Sequence, residues 1–112
     1  MNHGLSDETA RKIRNVFSHY PEVEKAVLYG SRAKGSHRPG SDIDLALFGD
    51  KLDQTIIGRI DEELDDLLLP YRFDLSLFGT ITQRELIEHI ERVGVLFYER
   101  GTVEKRTTPR SK

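Results

Sequence analysis

Two apolar periodicities alternate along this chain, and that alternation restricts its fold more than any other feature. Ala10, Ile13, Val16, Phe17 and Tyr20 recur at helical spacing. Ser6 stands before them as a cap with the early acids Asp7 and Glu8, and Pro21 closes the segment. Val23 to Tyr29 reads as a strand stopped by Gly30, and Ile43 to Phe48 (IDLALF) as a second, followed by a turn at Gly49-Asp50. Leu52, Ile56, Ile57, Ile60, Leu64, Leu67 and Leu68 keep helical spacing up to Pro70. Arg72 to Phe78 (RFDLSLF) alternates as a third strand closed by Gly79. Leu86, Ile87, Ile90 and Val93 make one more amphipathic helix, ended by Gly94, and Val95 to Tyr98 is a short last strand. The order α, β, loop, β, α, β, α, β predicts an α/β (α+β) fold, a small mixed β-sheet flanked by helices.

The chain has 112 residues, room for one core and one cleft. Residues 1–101 are expected to form a single domain, and residues 102–112, with Lys105, Arg106, Arg110 and Lys112, a basic flexible tail.

Chemistry concentrates where the apolar pattern is broken by acids. Side chains of a strand alternate between faces, so Asp42 and Asp44 point one way while Ile43, Leu45 and Leu47 point into a core. Their backbone positions lie about 6–7 Å apart, a span suited to two carboxylates converging on hard cations such as Mg²⁺. Taken alone, an Asp-x-Asp pair is more often a turn cap and a wet surface residue. In the third strand, Asp74, Ser76 and Phe78 share one face and Phe73, Leu75 and Leu77 the other. If the second and third strands are neighbours, Asp74 joins Asp44 on one side, and three crowded carboxylates call for a cation.

Gly30 to Ser41 (GSRAKGSHRPGS) is no core element, although its first residues can make a helical turn. Gly30 would let backbone N–H groups approach an anion, Ser31 offers a hydroxyl, and Arg32 and Lys34 could balance a triphosphate. An ordinary turn with a solvated basic face is the plainer reading of the same residues. A P-loop is excluded: Gly30 and Gly35 have its glycine spacing, but Ser36-His37 stand where Lys-Ser/Thr is required. His37 sits in the same loop, and contact with a phosphate is the minor reading of it.

Gly30-Ser31, ten intervening residues, then Asp42-x-Asp44 resembles the G-S-x10-D-x-D signature of the minimal nucleotidyltransferases of the DNA polymerase beta-like superfamily. The string LYGSRAKGSHRPGSDIDLALF matches closely, RFDLSLF puts Asp74 where that family has its third carboxylate, and the similarity runs from about Val27 to Tyr98. The resemblance implies that Gly30, Ser31 and Arg32 hold the nucleotide phosphates. It implies that Asp42 and Asp44 bind Mg²⁺, two ions in this family. Asp74 would complete the metal site and help deprotonate the attacking hydroxyl. The implied reaction moves a nucleoside monophosphate, AMP from ATP, to an acceptor hydroxyl. Larger members carry extra domains that select the acceptor, and no segment here is long enough for one, so a partner must supply it. In this family the partner is often a HEPN-domain toxin, and the nucleotidyltransferase is the antitoxin that modifies a toxin tyrosine. The alternative function is a binding module that neutralises such a partner by complex formation, without transfer.

Composition narrows the remaining classes. A formal net charge of −2 with 32% charged residues gives no overall field for nucleic acid or anionic membrane, so no direct nucleic-acid binding is expected. With no Cys, disulfides, thiolate metal sites and a Cys nucleophile are excluded, and a cytoplasmic protein is expected. His3, His19, His37 and His89 have no zinc-type spacing, and no apolar run is long enough to span a bilayer. The N-terminus lacks the apolar stretch of a signal peptide. Asp61-Glu62-Glu63-Leu64-Asp65-Asp66 puts five acids on one helix, a solvated face or a dock for a basic partner surface. Tyr20, Tyr29, Tyr71 and Tyr98 are read as packing residues.

Overall fold

The computed structural model describes residues 4–35 and 42–101. The expected basic tail at 102–112 and the phosphate-loop residue His37 lie outside the described residues. The elements follow the predicted order: α1 (Asp7–Ser18), β1 (Lys25–Tyr29), α2 (Ser31–Lys34), β2 (Ile43–Phe48), α3 (Gln54–Asp65), β3 (Phe73–Leu77), α4 (Arg84–Val93) and β4 (Val95–Glu99). A short 3-10 turn, Phe78–Thr80, follows β3 where RFDLSLF was expected to continue as strand.

Local chemistry accounts for the helix starts. The Ser6 hydroxyl accepts from the Thr9 backbone N–H at 3.1 Å, and Asp53 does the same for Ile56 at 2.9 Å, each satisfying an orphan donor of a first turn. The end of α3 departs from the leucine periodicity. The helix closes at Asp65, Leu68 turns to φ 57°, and its side chain is 88% exposed rather than part of the core stripe. The following Pro70 bars the residue before it from helical backbone and directs the chain out towards β3.

The four strands form one sheet in the order β3-β2-β1-β4. β1 pairs antiparallel with β2 and with β4, while β2 and β3 are parallel, joined by the α3 crossover that a parallel pair requires. The sheet is therefore mixed, as the order of elements suggested. One of its faces is fully apolar: Ala26, Leu28, Ile43, Leu45 and Leu47 are all at 0% exposure, packed with Ile13, Phe17, Ile60 and Leu64 from α1 and α3. The opposite face carries a smaller cluster, Tyr29, Ala46 and Ile90, with Val27, Phe48, Phe78 and Leu86 against it. Because α4 covers this second face only in part, its remaining end is free to present polar groups.

β4 holds a β-bulge. Ala26 pairs with Tyr98 but Val27 with Leu96, which leaves Phe97 as the extra residue. Its carbonyl accepts from Arg14 Nε at 2.6 Å, and the same guanidinium lies 4.5 Å from the Phe97 ring centroid. A residue of α1 thus satisfies the backbone of a strand at the sheet's edge. Among the described residues, no helix is long and apolar enough to cross a membrane.

Candidate active site

The second face of the sheet holds the acids. In the parallel pair, Asp44 stands directly opposite Asp74, and on the other side of β2 it stands opposite Tyr29, the residue before Gly30. Asp42 precedes β2 by one residue and is exposed, as is Asp74. The structure therefore brings Gly30, just past the end of β1, together with Asp44 on β2 and Asp74 on β3, with Asp42 one residue before β2.

Gly30 is required twice over. Its φ of 80° is a conformation that side-chain-bearing residues avoid, and a Cβ there would lie 2.4 Å from Asp44 Oδ2. The turn after β1 thus presses against the Asp44 carboxylate. The chain then makes the single helical turn α2 and leaves it at Gly35 with φ 78°. Ser31 opens that turn and is part-exposed.

Burial, then the charges of Asp74 and Asp42, push the Asp44 carboxyl above the usual carboxylate range, and Arg32 pulls it part of the way back. A half-buried carboxylate held against two others is a site short of positive charge. Among the described residues no group of three His, Cys, Asp or Glu side chains is placed to hold a metal ion. Mg²⁺ does not need one, since it usually takes one or two carboxylates and completes its shell with water and substrate phosphates. The hard oxygen donors and the cramped Gly30–Asp44 contact fit such an ion.

Arg32 is placed differently from a phosphate-facing loop cation. It is 2% exposed, and its guanidinium lies 4.9 Å from the Tyr71 ring centroid. It acts on Asp44 from behind, and it ties α2 to the segment that enters β3.

Three polar groups beneath the acids were not among the candidates drawn from sequence. Tyr29 is buried, its hydroxyl lies 3.3 Å from Ser76 Oγ, and its ring meets His89 of α4 edge-on at 6.2 Å between centroids. Burial raises the Tyr29 hydroxyl pKa, and Asp74 and Asp44 add to the rise. Ser76 was within reach of the strand alternation, which places it on the face of Asp74. His89 was not, because nothing local indicates which way α4 packs.

Comparison with known proteins agrees with this geometry. The family model "Polymerase beta, Nucleotidyltransferase" matches residues 11–102. The "Probable protein adenylyltransferase MntA" of Haemophilus influenzae is 38% identical over 81 residues, which are 70% of this chain and 70% of that protein. The DNA mismatch repair protein MutL of Bacillus mycoides is 34% identical over 65 residues, 58% of this chain but 9% of MutL, so the chain spans only about a tenth of that relative. Among solved structures, a toxin–antitoxin crystal structure with AMP-PNP superposes with a TM-score of 0.65 at 19% identity, covering 91% of this chain and 80% of the other. The complex of a tri-AMPylated Shewanella oneidensis HEPN toxin with its MNT antitoxin gives 0.63 at 17% identity, covering 91% and 79%. At these identities the structural likeness establishes the fold.

Proposed function

The chain belongs to the polymerase beta nucleotidyltransferase family, and on that premise we propose that it transfers AMP from ATP to a hydroxyl of a partner protein, a HEPN-domain toxin, acting as the antitoxin. The observation that carries this reading is the register of β2 and β3, in which Asp44 and Asp74 face each other beside Gly30. A protein that only bound its partner would have no need of mutually repelling carboxylates in one patch.

In this reading Asp42 and Asp44 would hold Mg²⁺, two ions as in the family, and Asp74 would complete the set. When bound, the metal neutralises charge on the phosphates and on the departing pyrophosphate. The chain's own residues do the rest. The Gly30 turn brings backbone close to the phosphates, Ser31 donates its hydroxyl to them, and buried Arg32 offsets part of the rise in the Asp44 pKa. Asp74 takes the proton of the acceptor hydroxyl as its oxygen attacks the α-phosphorus. The bond to the pyrophosphate oxygen breaks on the opposite side. Positioning and charge stabilisation supply the rate enhancement, and no covalent enzyme intermediate is needed.

The test is incorporation of α-labelled AMP into the partner protein. Asp42→Ala abolishes labelling, while Glu8→Ala, a change in an exposed ion pair on α1, leaves it intact. Labelling by the Asp42 variant at the wild-type rate would remove the catalytic reading. A partner neutralised equally well without ATP and Mg²⁺ would point to complex formation instead.

A further inference from the structure

Asp42 borders a second feature besides the acid face. A cavity of about 530 Å³ opens beside it, between the C-terminal half of α3 and the chain that enters β3. Its lining is two-part. Leu64, Leu69, Pro70 and Phe73 give an apolar bed, with Tyr71 held from behind by Arg32. Asp42, Asp61 and Asp65 give three carboxylates against Arg72, the cation among the described lining residues. The same end of α3 exposes Glu62 and Asp66, which extend the acid excess outward. Two residues further on, Leu68 projects 88% exposed, one of two large hydrophobics so exposed among the described residues. Neither the core nor the transfer chemistry uses Asp61, Asp65 or Leu68.

We propose that this cavity is the docking surface for the acceptor protein, and that it takes a basic segment of that protein beside the hydroxyl to be modified. The proposal rests on the transfer reading for its purpose, although docking itself can be measured without transfer. A lysine or arginine can lay its methylenes on Leu69 and Phe73 and place its charged head between Asp61 and Asp65. Leu68 packs against an apolar neighbour in the same segment, an anchor of the kind that interfaces bury. The cavity leads to Asp42, so a segment seated there brings the residue next to it up to the phosphate. Charge complementarity of this kind selects the partner and speeds encounter.

Direct binding decides the matter. Two fluorescently labelled tyrosine peptides, each with one leucine, differ only in flanking arginines or glutamates and are titrated against the full chain. The arginine peptide binds about tenfold tighter or more, and added salt narrows the gap. The double variant Asp61→Lys/Asp65→Lys loses the preference, the milder Asp61→Asn/Asp65→Asn reduces it, and Leu68→Ser weakens binding of the arginine peptide. In the transfer assay the double asparagine variant raises KM for the acceptor and leaves KM for ATP unchanged. Equal binding of both peptides overturns the proposal, as does a preference that survives the lysine variant, or a raised KM for ATP with normal acceptor KM. Asp44→Asn separates the two readings: it stops transfer while the peptide preference persists. If the wild-type chain binds the arginine peptide yet modifies no protein, the docking surface stands and the transfer reading falls.

Discussion

Gly30 and Asp44 show how much of a site can depend on one missing methyl group. Alanine at position 30 meets both a φ of 80° and a carboxylate oxygen at 2.4 Å, so either the turn or Asp44 must move. Displacements of about 1 Å at a reacting centre cost on the order of a hundredfold in rate. Gly30→Ala should therefore reduce AMP transfer by about that factor or more, measured as kcat/KM, while the circular dichroism of the fold is retained. That Asp44 and Asp74 would share a face once their strands adjoin was legible from period-2 alternation in β2 and β3, whereas Asp42 lies one residue before β2. Arg32 was only half legible. A cation two residues past a glycine reads as a solvent-facing phosphate ligand, and only the packing of α2 against Tyr71 reveals that it is buried.

Among the elements, β4 and the end of α3 carry what periodicity does not express. The short apolar run Val95 to Tyr98 announces a strand, but the extra residue at Phe97 depends on its register with β1 and on an arginine 83 positions away. Arg14→Ala leaves that carbonyl without its side-chain donor and should cost about 1–3 kcal/mol in urea unfolding. Leu67 and Leu68 continue the helical spacing of α3, yet the helix has already ended at Asp65 and Leu68 takes left-handed backbone. A leucine at φ 57° carries about 1–2 kcal/mol of backbone strain, most of which glycine would relieve. Leu68→Gly should therefore unfold at a higher urea concentration than the wild type, by about 1 kcal/mol. A lower midpoint would mean that the exposed side chain makes stabilising contacts.

At the scale of the whole molecule, the acid face is a source of instability that ligand offsets. In the folded chain Asp44 holds its proton to higher pH than in the unfolded chain. As pH rises through the ordinary carboxylate range the unfolded state ionises first, so this residue lowers stability progressively until its raised pKa is passed. Below the ordinary range both states are protonated and the contribution vanishes. Metal-free protein should lose stability across that window, Asp44→Asn should lack this component of the decline, and Mg²⁺ with a nucleotide should restore the wild type. Urea midpoints measured against pH for both proteins check the sign, and a steeper decline in the asparagine variant would refute it. The α/β order and the mixed sheet were evident from the alternating periods. Which strands adjoin was not, because adjacency is settled by long-range burial rather than by any local residue.

β3 lies outermost in the sheet and reaches its neighbour only after the chain has traversed α3. Sliding it by a single position against β2 would turn Asp74 inward and bring Phe73 or Leu75 out to water. Affinity for the ion should consequently report how firmly that outer ribbon is latched. A partner that loosened the ribbon could silence the enzyme without approaching the nucleotide.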